Sequence, residues 1–157
     1  MNTSQETYRT SKSIDTLLQQ ITSTTSAKKV IETALQEVKE KLSNKAYEPR
    51  HCGLIAQDIY IKAEVKQQEI YRDTNYQGKD CGNHHANPEM MKNITPGDWL
   101  WYNNKNHGWK GLHSAIVLKY NYNTADALVT SGYVGQSIRI HHINLKECPV
   151  TRIVKPI

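Results

Sequence analysis

After Pro96 the apolar residues of this chain change period, and that change constrains the fold more than any other feature. Up to Val65 they recur every three or four positions. Val30, Ile31, Ala34, Leu35, Val38 and Leu42 form one stripe with lysine, glutamate and glutamine opposite, which predicts an amphipathic helix. Ile14, Leu17, Leu18 and Ile21 predict a shorter helix behind Ser13, and Ser26 is placed to cap the second one. A third helix is expected over Gly53 to Val65, with Ile55, Ala56, Ile59 and Ala63 on one side and Cys52 at its mouth. The polar text from Gln67 to Thr95 reads as a loop holding one short helix near Pro88 to Lys92. Then come β-rich runs, DWLWY (98–102), SAIVLKY (114–120), ALVT (127–130), SIRIH (137–141) and VTRIV (150–154), separated by Asn, Gly, Lys and Pro clusters. Helices followed by strands predict an α+β domain, in which a helix packs on one face of a curved antiparallel meander of about five strands.

A chain of 157 residues, 38% hydrophobic, is long enough for one domain with its own core. Twenty Lys and Arg against 15 Asp and Glu give a charge of +5, which favours polyanionic surroundings. The basic residues are scattered and no nucleic-acid module is present, so nucleic acid is not expected as a partner. No apolar leader and no run of about eighteen uncharged apolar residues occurs, so neither a secretory signal nor a membrane span is expected. Three cysteines, at 52, 81 and 148, are too few and odd in number for a disulfide framework. Cys81 and Cys148 remain a candidate pair in an oxidising space.

Cys52 is the residue with the clearest chemical promise. A thiol in the first turn of a helix sits against unpaired N–H groups and the positive end of the macrodipole, which favour the thiolate. A nucleophilic thiol also needs a base, usually histidine, and a third polar group that holds the base in the right tautomer. His113 opens the strand HSAIVL, from where an imidazole can face the N-terminus of a packed helix; His107 lies in the loop before it.

The order CGLIAQDIY (52–60), TPGDWLWY (95–102), GLHSAIVL (111–118), ALVTSG (127–132) and TRIVKPI (151–157) resembles the NlpC-type and CHAP-type papain-fold cysteine peptidases and amidases of bacterial cell walls. The resemblance covers roughly Pro49 to Ile157. It implies a papain-like core at 46–157 behind a helical extension at 1–45, with Cys52 as nucleophile and His113 as base. It further implies thioester chemistry on amide bonds of peptidoglycan stem peptides, without a cofactor or metal. In the family the residue that orients the histidine lies on the following strand, where this chain offers Ser131, Thr130 and Asp126. Many members carry Asp before the cysteine and Ser after it; here His51 and Gly53 stand there, His51 either covering the helix mouth or, when protonated, favouring the thiolate. Tyr47 is a candidate for the cleft. Trp99, Trp101, Trp109 and Tyr102 read as core and loop packing, with Trp109 the candidate cleft wall that stacks on substrate.

Other constellations compete. Cys81, His84, His85, His141 and His142 are potential zinc ligands, but no Cys-x-x-Cys or His-x-x-x-His spacing occurs and no metal is expected. Cys148 as nucleophile of a permuted arrangement lacks a helix, because Pro149 and a strand follow it. A basic, monomeric wall hydrolase without a signal points to an antibacterial effector exported by a specialised system into a rival's periplasm, with an immunity protein as partner. The alternatives are a papain-like toxin acting on a protein (deamidase, peptidase or acyltransferase) and a non-enzymatic binding domain.

Overall fold

The computed structural model, which describes residues 8–73, 88–103 and 112–157, turns the apolar stripes into three helices: α1 (Ser11–Gln20), α2 (Thr25–Ser43) and α3 (Cys52–Lys62). Thr10 caps α1 in a reciprocal pair with Ser13, each side chain accepting from the other's N–H at 3.1–3.2 Å. Thr24, not Ser26, caps α2: Thr24 is the last extended residue and its hydroxyl accepts from the Ala27 N–H, whereas Ser26 already lies inside the helix. A single turn, α4 (Pro88–Met91), precedes the main run of strands, where the sequence places its short helix.

The strands are β1 (Gln67–Arg72), β2 (Trp99–Asn103), β3 (Leu112–Asn121), β4 (Asp126–Tyr133), β5 (Gln136–Asn144) and β6 (Val150–Pro156). They form one antiparallel sheet of six in the order β1-β6-β2-β3-β4-β5, so the fold is α+β. Two corrections follow. The stretch read as loop after Val65 contains β1, an edge strand bonded only to β6 and largely exposed, which therefore carries no apolar alternation. Its Glu69 is held by Arg72 at 2.8 Å and by Arg152. The meander ends at β5, because β6 returns to pair with β2 on the far side from β3.

Alternation along the strands divides the core in two. Trp99, Ile116, Leu118, Leu128, Ile138 and Ile140 face the helices, where they meet Ile14, Leu17, Ile31, Leu35, Ile55 and Ile59. The helices α1 and α2, which precede residue 46, therefore share this core with α3 and the sheet. Leu100, Tyr102, Ala115, Val117, Val129 and Ile153 line the other face under Ile94, Leu145 and Met91. The TPGD turn locks β2 to the helices: Gly97 has φ +93°, a Cβ there would stand 2.7 Å from that of Ala27, and its carbonyl accepts from the Tyr60 hydroxyl at 2.7 Å. Asp98 behind it is buried against Lys155 at 2.7 Å, and burial pushes its carboxyl up to about 6 in spite of that cation. Among the described residues no helix is long and apolar enough to cross a membrane.

Candidate active site

The mouth of α3 is built by His51. It is the extended N-cap, its Nδ1 accepts from the Leu54 N–H at 3.4 Å, and its carbonyl accepts from the Ile55 N–H at 3.1 Å. The ring thus covers the helix mouth as an acceptor. Cys52 is the first helical residue, half-buried and a free thiol. Gly53 then lets α3 approach the sheet: a Cβ there would stand 2.7 Å from Cη2 and 2.9 Å from Cζ2 of Trp101. Gly53→Ala is therefore expected to cost about 1–3 kcal/mol in thermal or urea denaturation, although alanine is the better helix former.

His113, 3% exposed, pairs across strands with Tyr102 and so stands on the Tyr102 face, the one turned away from α3. Its ring meets the rings of Tyr102 and Tyr133 edge-on at 5.6 and 5.9 Å. Its Nε2 lies 2.9 Å from Ser131 Oγ, and the same oxygen lies 2.6 Å from His141 Nε2. Three strands thus supply one hydrogen-bonded row, β3 the first imidazole, β4 the hydroxyl and β5 the second imidazole. The row lines a cavity of about 520 Å³ with Tyr133, Arg139 and Cys148 among its walls.

Cys52 does not line that cavity, and among the described residues it makes no hydrogen bond to His113. What links them is Tyr102. Burial pushes its phenol well above the ordinary range, the Cys148 and Cys52 thiols add to the rise, and Arg139 opposes it, so the hydroxyl lies within electrostatic reach of both thiols. That hydroxyl is buried without a hydrogen-bond partner among the described residues.

No family model, curated protein or solved structure matches this chain.

Of the residues offered to orient His113, Ser131 meets it. Thr130 pairs with Ile116 and so points to the helices, and Asp126 is bound by Asn144 at 3.0 Å at the opposite end of β4. Tyr47 is 68% exposed, beside Gly135 in the β4–β5 turn and outside the cavity. Trp109, His107, Cys81, His84 and His85 lie outside the described residues. Trp99 and Tyr102 are core residues, as their spacing predicts.

The sequence reading missed Arg139 and His141 as residues of the cavity that holds His113 and set Cys148 aside. The available signal was the alternation in SIRIH, which puts Arg139 and His141 on the side of β5 opposite Ile138 and Ile140. Cys148 arrives through the turn that connects β5 to β6. Burial, reinforced by Glu147, pushes its thiol up.

Proposed function

We propose that the chain is a cysteine hydrolase of the papain type that cuts amide bonds in peptidoglycan stem peptides. Cys52 is the nucleophile, His113 the base and Ser131 the group that orients the base. The observation that supports this reading is the buried His113 with Nε2 engaged by Ser131 at 2.9 Å, the kind of contact that orients a base. Of the first-turn N–H groups of α3, those of Leu54 and Ile55 are used by His51. Those of Cys52 and Gly53 supply the oxyanion donors.

In the reaction the Cys52 thiol passes its proton to His113 Nδ1 and attacks the amide carbon. The imidazolium returns the proton to the leaving amine, and water then hydrolyses the thioester. For this the thiol has to reach the imidazole around the ends of β2 and β3, on the side where Tyr102 feels the Cys52 thiol. A second reading makes Cys148 the nucleophile, because it shares the cavity with His113.

As an effector the protein would act in the periplasm of a target cell and be neutralised there by an immunity protein. Mass spectrometry of purified peptidoglycan treated with the protein tests the function. New termini within stem peptides are expected, while an unchanged muropeptide pattern, together with toxicity confined to cytoplasmic expression, would move the substrate to a protein.

A further inference from the structure

Ser131 Oγ sits between two imidazole nitrogens, 2.9 Å from His113 Nε2 and 2.6 Å from His141 Nε2. A hydroxyl carries one proton, so it donates to one ring and accepts from the other. The contact to His141 is the shorter of the two. O–H donors make shorter bonds than N–H donors, so the 2.6 Å contact fits Ser131 donating to His141, and the 2.9 Å contact fits His113 Nε2–H donating to Ser131. In that arrangement the lone pair of His113 is on Nδ1. The reverse chain, in which His141 Nε2–H donates to Ser131 and Ser131 donates to His113, leaves the His113 proton on Nδ1, where it cannot receive another.

We propose that His141 acts through Ser131 as the positioning residue that selects the His113 tautomer a thiol needs, and that protonation of His141 reverses the chain and switches the site off. The catalytic half of this proposal rests on the cysteine-hydrolase reading; the tautomer half stands on the single hydroxyl shared by the two rings. Neutral His141 accepts at Nε2 and fixes the Ser131 hydroxyl. Protonated His141 has N–H at both nitrogens, so Ser131 must accept from it and turn its own proton onto His113 Nε2. When His113 takes the thiol proton on Nδ1, the polarised chain to His141 spreads the imidazolium charge.

His141 faces His113 from β3 and Ser131 and Tyr133 from β4, with Arg139 and His142 on its own strand, Glu147 and Cys148 on the turn before β6, and Asp126 at the far end of β4. Arg139 carries the charge that opposes one on His141 and Glu147 the charge that favours it, while Asp126 interacts with His142 and Lys146. The buried Tyr102 phenol, raised well above its usual range, stays neutral throughout.

The test uses nitrogen-15 NMR of the imidazoles alongside pH profiles of peptidoglycan digestion. In the wild-type protein near neutral pH His113 is expected to be the Nε2–H tautomer. His141→Gln offers an amide oxygen to Ser131 but cannot be protonated; it is expected to keep that tautomer, to retain activity within about threefold, and to lower the slope of the acid limb of kcat/KM from about two to about one. His141→Leu removes the acceptor, so the His113 proton moves to Nδ1 and kcat falls about 10²-fold.

A wild-type His113 carrying its proton on Nδ1 at neutral pH, or an acid limb unchanged in His141→Gln, overturns the proposal. The Gln variant decides the matter even where the Leu variant fails to fold. If the tautomers behave as expected but Cys52→Ala and Cys148→Ala both digest peptidoglycan like the wild type, the relay stands and the hydrolase reading is the one that fails.

Discussion

Replacing Cys52 by alanine is expected to lower peptidoglycan digestion by about 10⁴-fold, the scale of losing a covalent nucleophile, with the melting temperature nearly unchanged. Stability is spared because the residue is half-buried and its thiol makes no hydrogen bond among the described residues. Cys148→Ala is the control with teeth. Cys148 lines the cavity that holds His113, so proximity alone would favour it. Two facts oppose it. Burial and the neighbouring Glu147 push its thiol up, which keeps it protonated, and its N–H is already given to the Asn144 carbonyl at 2.9 Å and so is not an oxyanion donor. Cys148→Ala is therefore expected to stay within about threefold of wild type. The reciprocal result, loss on Cys148→Ala and activity in Cys52→Ala, would move the nucleophile to the turn before β6. Rates of iodoacetamide labelling at the two cysteines give a second readout, with Cys52 the faster.

The helices were legible because burial on one side imposes a period that local residues alone carry, as in the Val30 to Leu42 stripe of α2. β2 to β6 were legible for the same reason, each having at least one buried face. β1 was not, since QQEIYR lies on an open edge and is held by backbone pairing and by the Glu69–Arg152 contact. Ser131 was among the residues expected near His113 because the resemblance points to the strand after the histidine, but Thr130 and Asp126 were equally available until the register was known. Alternation decides it: one residue's shift turns a side chain to the other face, and Thr130 goes with Ile116 toward the helices. His141 was visible only as a metal candidate, because nothing within β5 says which residue of β4 it will meet. The placement of His113 on the face away from α3 is likewise a consequence of register, and it is the geometric demand that any Cys52 mechanism must satisfy by working around the ends of the strands.

The largest stability effect is expected two residues ahead of the proposed nucleophile. Arg50 joins three segments: its guanidinium donates to Glu48 at 2.8 and 3.0 Å, to Asp58 of α3 at 3.0 Å, and to Glu37 of α2 at 3.3 Å. Glu48 and Glu37 are both buried, and Lys62 adds a second cation on Glu37 at 2.8 Å while Lys41 stands 3.9 Å from Glu48. Buried carboxylates without their main partner cost far more than an exposed pair gains, so Arg50→Met is expected to lower stability by about 3–5 kcal/mol. Because Glu48 also accepts from the Gly135 N–H through its carbonyl, the loss would loosen the segment that delivers His51 and Cys52 as well.

The pH dependence separates this from a simple packing defect. Hydrogen bonds from Arg50 hold the Glu48 carboxyl below the usual carboxylate range, so in the wild type its contribution is fully present above the ordinary glutamate range and is lost as acidification passes through the lowered folded value. In Arg50→Met, burial without the guanidinium raises that carboxyl instead, and protonation relieves the variant as pH falls from that raised value to the ordinary glutamate range, before the wild type weakens. The stability gap between the two, measured by urea unfolding, should therefore narrow on going from neutral pH to about pH 4. A gap constant across that range would mean that Arg50 serves by its aliphatic packing rather than by its charge.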